Sequence, residues 1–107
     1  MAHSLLGIGL SKGDRVGIYM KNNPFYVFSL FAIGKAGLVE VPINPNFREP
    51  EILHIINTAH VSTIIVEANM EFINILSKIS SESSVLKNVI IVGDIKKNQK
   101  WKPIYIY

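Results

Sequence analysis

The sequence predicts an α/β fold, in which a mostly parallel sheet carries helices on both faces in Rossmann-like βαβ units. Short apolar runs of strand type alternate with longer segments whose apolar residues recur at helical spacing. The strand runs are apolar almost throughout, which is typical of parallel strands that are buried on both faces. The connections between elements are short, and the predicted order is α-β-α-β-α-β-α-β.

The first elements surround a glycine-containing turn. Residues 1–10 predict the end of a helix, Ser11–Asp14 a turn, and Arg15–Met20 the first strand. Asn23 and Pro24 then open a second helix, because asparagine caps helix N-termini and proline is tolerated at the first helical position.

The helix that follows Pro24 is apolar nearly all round as far as Lys35, so we expect it to be buried on every side. Gly37 predicts its end. Leu38–Ile43 predicts the second strand. Pro42 has no N–H to donate to the ladder, so we expect it at the end of that strand or at a bulge.

The third helix and third strand follow a proline-containing loop. The helix begins at Pro50, and its apolar residues fall at i, i+3, i+4 and i+7, namely Ile52, Ile55, Ile56 and Ala59. Glu51 in its first turn suits the helix dipole. Ser62–Glu67 predicts the third strand.

The last predicted helix begins after Asn69, which is placed to cap it. Its apolar stripe comprises Phe72, Ile75, Leu76 and Ile79. Ser80–Ser84 is expected to form a loop, and Val89–Val92 the fourth strand. Residues 95–107 show no firm pattern.

Composition excludes several classes of protein. With 49% hydrophobic and 18% charged residues, the chain is not intrinsically disordered. It has no cysteine, which excludes disulfide scaffolds, thiol catalysis and cysteine-ligated metals. The longest uncharged apolar run, residues 24–34, is too short for a transmembrane helix, and the N-terminus lacks a signal-peptide pattern. We therefore expect a cytoplasmic protein.

The net charge of +3 comes from the C-terminal end of the chain. Lys96, Lys97, Lys100 and Lys102 supply four positive charges there, whereas residues 1–94 are close to neutral. We expect a solvated basic tail, and no nucleic-acid partner. A nucleic-acid binder would have to depend on Lys96–Lys102 alone, and its affinity would then fall steeply with salt.

No phosphate-binding motif is present. The glycines at positions 7, 9 and 13 have the wrong spacing for a dinucleotide fingerprint, and they precede the first strand instead of following it. No Gly-Lys-Ser/Thr string occurs, which excludes a P-loop. A receiver-type phosphorylation site is also disfavoured, because Asn69 and not aspartate follows the third strand.

The remaining polar candidates are histidines and asparagines. His54 and His60 are six residues apart, which places them on different sides of a helix, so we expect surface histidines and no metal site. Asparagines recur after the strands, at Asn22, Asn44 and Asn69, where ligands bind in open α/β sheets. Because asparagine also caps helices and favours turns, we expect these side chains to be structural.

Four blocks in order resemble adenylate-forming enzymes, the superfamily of acyl-CoA synthetases, luciferases and peptide-synthetase adenylation domains. Residues 9–24 (GLSKGDRVGIYMKNNP) are similar to that family's opening block, and Lys35–Pro45 to its K-A-G…V-P-x-N-P block. Arg48–Asn57 and then Thr63–Val66 match the blocks that follow. The resemblance extends from about Leu5 to Asp94, and acid–CoA ligases of the fatty-acid or carnitine type look closest.

Two positions depart from the family pattern. Phe25 stands where the family has glutamate, so the first turn of that helix lacks a dipole-matching acid. Gly34 stands where the family has a larger residue, which costs up to ~1 kcal/mol in a helix interior relative to alanine. Close helix packing would explain the glycine.

The resemblance implies that this chain is a fragment of a longer ligase. The family's phosphate loop, its adenine- and Mg²⁺-binding motifs and its catalytic lysine all lie downstream of the matched blocks. We therefore assign no catalytic, cofactor-binding or metal-binding residue to this chain. We expect residues 1–94 to form part of the N-terminal α/β subdomain and residues 95–107 a basic tail.

For the parent enzyme, the resemblance implies ATP, Mg²⁺ and CoA. A carboxylic acid would attack the α-phosphate of ATP to give an acyl-adenylate, and a thiol, commonly of CoA, would then displace AMP. The chain alone would be inactive, its partner would be the remainder of the enzyme, and exposed edges would allow self-association. The alternative is a self-contained, non-enzymatic α/β interaction or regulatory module.

Overall fold

The computed structural model describes residues 10–21, 24–92 and 104–106, and this part of the chain forms five strands and three helices. In chain order the elements are β1 Arg15–Tyr19, α1 Pro24–Lys35, β2 Val39–Ile43, α2 Glu49–Ala59, β3 Val61–Glu67, α3 Met70–Glu82, β4 Asn88–Val92 and β5 Ile104–Ile106.

All five strands belong to one parallel sheet with the order β2-β1-β3-β4-β5. The chain moves from β1 to β2 on one side and then crosses to β3 on the other. The strand order therefore reverses between β1 and β3, which is the topological switch point of an open α/β sheet. The predicted fold class is confirmed.

Helices cover the two faces of the sheet unequally. On one face, α2 and α3 pack over the larger core cluster, which includes Tyr19, Ile43, Ile52, Ile56, Ile64, Phe72, Leu76 and Ile91. On the other face, α1 packs over a smaller cluster that includes Leu10, Val16, Ile18, Ala32, Ile33, Ile65 and Ile90. Alternate residues of β1 and β3 point to opposite clusters, as the period of a strand requires.

The end of α1 is formed as predicted. Gly37 adopts a positive φ of 75°, a conformation that glycine tolerates without steric cost. The Leu38 N–H then donates to the Ile33 carbonyl at 3.0 Å, which satisfies one of the free carbonyls of the last turn.

Pro42 lies in β2, where it is in register with Ile18 of β1. Because β2 is an edge strand, the missing N–H of Pro42 can face away from the ladder at no cost. The predicted position near the end of the strand is thus confirmed, and no bulge is needed.

The prediction that α1 is buried on every side is wrong. Ala32, Ile33 and Ala36 pack on the sheet, but Phe28 and Phe31 are 64% and 74% exposed. An all-round apolar helix has no polar face to mark its outer side, so the sequence does not indicate that one side lies uncovered in this chain.

The predicted loop at residues 80–84 is partly wrong, because α3 continues to Glu82. The Ser81 hydroxyl donates a hydrogen bond to the Lys78 carbonyl at 2.7 Å, so this serine has a hydrogen-bond partner within the helix. Ser83 ends the helix, with its N–H on the Ile79 carbonyl and its Oγ 2.9 Å from Asn57 Oδ1.

β5 was not predicted. It falls among residues 95–107, where the sequence shows no periodicity, and it pairs with β4. Two other predictions, the helix in residues 1–10 and the basic tail at Lys96–Lys102, concern positions that lie almost wholly outside the described residues. Among the described helices, none is long and apolar enough to cross a membrane.

Candidate functional site

The candidate site is the edge of the sheet where β1, β2 and β3 end. In a parallel sheet the carboxyl ends of all strands meet at one edge, and the crevice at the switch point is the usual ligand site. Lys21 follows β1, Asn44 follows β2, and Glu67 closes β3. Gly93 and Asp94, which follow β4, lie outside the described residues.

Glu67 bridges the switch point. Its Oε1 accepts the Lys21 backbone N–H at 2.5 Å, which links the ends of β1 and β3 across 46 residues of sequence. A carboxylate therefore stands where a Rossmann fold would receive a phosphate. Its negative charge disfavours a bound phosphate at this crevice.

The asparagines at this edge are structural, as predicted. Asn44 Oδ1 accepts the Asn46 N–H at 2.9 Å and forms an Asx turn after β2. Asn69 Oδ1 accepts the Glu71 N–H at 2.9 Å and the Phe72 N–H at 3.4 Å, which caps α3. Asn69 Oδ1 therefore uses both of its lone pairs on backbone N–H groups, and Asn44 Oδ1 uses one. Asn22 is not among the described residues.

Two aromatic side chains pack together at this edge, one at the end of β1 and one in the first turn of α3. The rings of Tyr19 and Phe72 lie 4.3 Å apart between centroids and are tilted by 31°. The Tyr19 hydroxyl donates to the Phe47 carbonyl at 3.4 Å, a long bond across the β2–α2 loop. Burial raises the pKa of the Tyr19 phenol, with a smaller lowering effect from Arg48 and a smaller raising effect from Glu71.

Three charged side chains lie at the rim of this edge. Two of them form an ion pair with each other, and the third lies over an aromatic ring. Arg48 Nη1 lies 3.4 Å from Glu71 Oε1, and both side chains are about three-fifths exposed. Lys21 Nζ lies 5.7 Å from the centre of the Phe72 ring, within cation–π range. The sequence alone did not indicate that these groups meet, because no local spacing relates them.

Arg48 also begins α2. Its backbone N–H donates to Glu51 Oε2 at 2.7 Å, one half of a capping box. Glu51 in the first turn, where an acid suits the helix dipole, thus forms a specific hydrogen bond as well.

The two described histidines lie as predicted. His54 and His60 are both exposed on α2 and just after it, and His60 adopts a left-handed conformation (φ 53°) as the C-cap. No group of three or more His, Asp or Glu side chains that could hold a metal ion occurs in the described ranges.

The groups at this edge do not fit ATP and Mg²⁺. A triphosphate requires a surplus of donors and positive charge. Among the described residues at this edge, the Arg48 guanidinium is paired with Glu71, the Lys21 ammonium lies over the Phe72 ring, and the Glu67 carboxylate adds a negative charge. Phosphate-cradling backbone N–H groups at the start of α3 are already bonded to Asn69. We therefore derive no catalytic step from these residues.

The family to which this chain belongs is shown by a match to a family model. The model of the AMP-binding enzyme family matches residues 1–104. The chain belongs to this family. The fold, the four ordered blocks and the family model thus agree, and the resemblance to adenylate-forming enzymes is confirmed.

Two kinds of curated protein with similar sequences are CoA ligases. The chain is 38% identical over 90 residues to a long-chain-fatty-acid–CoA ligase from Salmonella typhimurium, covering 82% of this chain and 16% of that enzyme. It is 29% identical over 94 residues to a crotonobetaine/carnitine–CoA ligase from Salmonella paratyphi B, covering 87% of this chain and 18% of that enzyme.

A solved structure of the AMP-binding family shows the same fold. The crystal structure of a long-chain-fatty-acid-CoA ligase from Archaeoglobus fulgidus superimposes with a TM-score of 0.79 at 26% identity, covering 88% of this chain and 18% of that one. The chain therefore spans less than one fifth of the length of the relatives that it matches. It matches their N-terminal part.

Proposed function

We propose that this chain is a structural part of an ATP-dependent acid–CoA ligase, and that by itself it neither binds ATP nor catalyses the reaction. The observation that supports this most is the family match over residues 1–104 in a chain that corresponds to 16% of a fatty-acid–CoA ligase. Residues 1–94 would contribute the α/β wall of the N-terminal domain, and residues 95–107 would follow it.

The whole ligase would join a carboxylic acid to a thiol in two steps. The acid's carboxylate would attack the α-phosphate of ATP and release pyrophosphate, and the thiolate of CoA would then attack the acyl carbon and release AMP. The similarity to long-chain-fatty-acid and carnitine–CoA ligases favours an aliphatic carboxylic acid as substrate. Such an enzyme, which has soluble substrates in ATP and CoA, would act in the cytoplasm.

The contacts at the carboxyl edge support the structural role. Glu67 holds the end of β1, and Asn44 and Asn69 hold the turns that follow β2 and β3. Each of these side chains fixes the backbone and offers no surplus charge to a nucleotide. A sheet whose carboxyl edge is held by its own hydrogen bonds is suited to support a cleft whose reactive groups come from other parts of the ligase.

Two measurements test the proposal. Isothermal titration of the 107-residue chain with ATP·Mg²⁺ should give no heat of binding, and a micromolar site with acyl-AMP formation would refute the structural role. In the second, this chain replaces the matched segment of the Salmonella typhimurium fatty-acid–CoA ligase. That chimera should form acyl-CoA, while the same ligase with the segment deleted should not.

The matched control is a chimera that carries an unrelated parallel α/β segment of similar length. If it forms acyl-CoA as fast as the chimera with this chain, the segment acts as a spacer and the proposed role is wrong. If neither chimera is active although both fold by circular dichroism, the assignment of this chain to a functional ligase is wrong.

A further inference from the structure

We propose that the outer face of α1, formed by Val27, Phe28, Phe31 and Gly34, is the surface against which the remainder of the ligase chain packs. This inference rests on the proposed function. It assigns a docking surface and commits to one occupant, an apolar element from the other four fifths of the enzyme.

The face is apolar and, in the part of the chain that the structure describes, exposed. Val27, Phe28 and Phe31 are 54%, 64% and 74% exposed, and they are three of the five most exposed large hydrophobic side chains among the described residues. They lie at i, i+1 and i+4, so they form one continuous stripe on the side of α1 that points away from the sheet.

Gly34 extends this stripe by one turn and leaves a depression in it. Gly34 is exposed, and a Cβ at this position would meet no atom within 4 Å. Packing inside the described part of the chain therefore does not explain the glycine. A gap beside the Phe31 ring is a place where a side chain of a second element could insert, as ridges insert into grooves between packed helices.

The other helices show that this face is special. The outer side of α3 carries polar residues, with Glu71, Asn74 and Lys78 all exposed. α2 likewise presents His54 and Asn57 to solvent. The polar side chains on those surfaces can form hydrogen bonds with water. The stripe on α1, in contrast, has no polar residue between Val27 and Gly34 except the buried Ser29.

The area favours a linked partner over a second copy of the chain. If a wholly exposed aromatic side chain offers about 200 Å², the stripe offers roughly 350 Å². A stable complex between separate proteins buries about 800 Å² on each partner. An element joined to the same polypeptide needs less, because it does not lose translational and rotational freedom a second time.

The relatives of this chain are long enough to contain such an element. Most of the Salmonella typhimurium ligase lies outside the segment that this chain matches. In the Archaeoglobus fulgidus structure, 88% of this chain corresponds to only 18% of a much longer chain, which includes the same sheet and helices. The outer face of α1 is therefore the part of the wall that is built to be covered in the full enzyme.

Thiol labelling tests the proposal, because the chain contains no cysteine of its own. Single-cysteine variants Phe31→Cys and Phe28→Cys report on the outer face of α1, and Asn74→Cys on the wet face of α3 is the matched control. Each variant is prepared as the 107-residue chain and within the Salmonella chimera. The rate of maleimide labelling at that site is then followed by mass spectrometry of the tryptic peptide.

We expect all three thiols to react at similar rates in the 107-residue chain. In the chimera, the thiols at positions 28 and 31 should react at least tenfold more slowly, while the thiol at position 74 should stay within twofold. Unchanged labelling at positions 28 and 31 in the chimera would overturn the proposal.

Slow labelling of positions 28 and 31 in the 107-residue chain would also overturn it. If dilution restores the rate, a second copy covers the face; if dilution has no effect, residues of the chain itself cover it. Acyl-CoA formation by the unmodified chimera separates this result from the proposed function. An active chimera with unprotected thiols disproves only the docking surface, and an inactive, folded chimera with protected thiols disproves only the catalytic assignment.

Discussion

Replacement of Asn69 by alanine tests whether the polar groups at the carboxyl edge are structural. Asn69 Oδ1 accepts two backbone N–H groups of the first turn of α3, from Glu71 at 2.9 Å and from Phe72 at 3.4 Å. Alanine offers no acceptor, so both donors would have to bind water or remain unpaired. The first turn of α3 would fray, and Phe72, which packs on Tyr19, would be held less firmly.

The expected loss is about 1 kcal/mol of unfolding free energy, the usual cost of removing an N-cap side chain. Most of it should come from the 2.9 Å bond, because a 3.4 Å bond is longer than the normal range for N–H···O. For a chain of 107 residues, such a loss lowers Tm by roughly 4–8 °C.

The assay is urea and thermal unfolding followed by circular dichroism at 222 nm. Asn69→Asp keeps a side-chain acceptor and should unfold within about 0.5 kcal/mol of the unaltered chain. Asn74→Ala, at an exposed position of the same helix, should also stay within about 0.5 kcal/mol. Equal stability of Asn69→Ala and Asn74→Ala would refute the capping role. If Asn69→Ala instead abolished acyl-CoA formation by the chimera without loss of stability, Asn69 would belong to the catalytic apparatus.

Three further outcomes are expected from urea unfolding. Ser29→Ala should stabilise the chain by about 1 kcal/mol, because the buried Ser29 Oγ has no hydrogen-bond partner among the described residues. Thr63→Val should cost about 1–3 kcal/mol, because it removes the acceptor of the buried Asn88 Nδ2, 3.1 Å away; a neutral result would contradict the bond. Burial raises the pKa of Tyr19, so the unfolded chain loses that proton first and stability should fall as the pH rises above about 10. Tyr19→Phe should make this fall shallower; an equally steep fall would contradict the role of Tyr19.

The order and type of most elements were predictable from local pattern. The stripe of α2 and the buried residues of α3 follow the 3.6-residue period, and Asn69, Gly37 and Pro42 lie where their backbone chemistry requires. These features depend on neighbours within four residues, or on the conformation of one residue, so the sequence carries them directly.

β5 and the end of α3 were not predictable in the same way. Ile104–Ile106 is too short to show alternation, and it becomes a strand because β4 offers it a free edge. Ser80–Glu82 continues α3 although serine favours turns, because Ile79 is fully buried and anchors the last turns to the core. In both places a tertiary contact outweighs a weak local preference.

The candidate site illustrates the same limit. The family was recognisable from four blocks of sequence, and the absence of a phosphate motif within them already argued against nucleotide binding. The meeting of Glu67 with the Lys21 backbone, and of Tyr19 with Phe47, joins residues 46 and 28 positions apart. No spacing rule indicates such pairs, because they depend on which strands become neighbours.

The sequence by itself determined that this chain forms a parallel α/β sheet covered by helices, because apolar periodicity and capping residues are local properties. Four ordered blocks of residues carried its resemblance to the AMP-binding family. Only the tertiary structure decided that the wall's carboxyl edge is closed by its own side chains and that one side of α1 is left bare. The physical reason is that strand order sets which distant polar groups meet. An all-round apolar helix, in turn, carries no mark of which side is exposed and which side packs on the sheet.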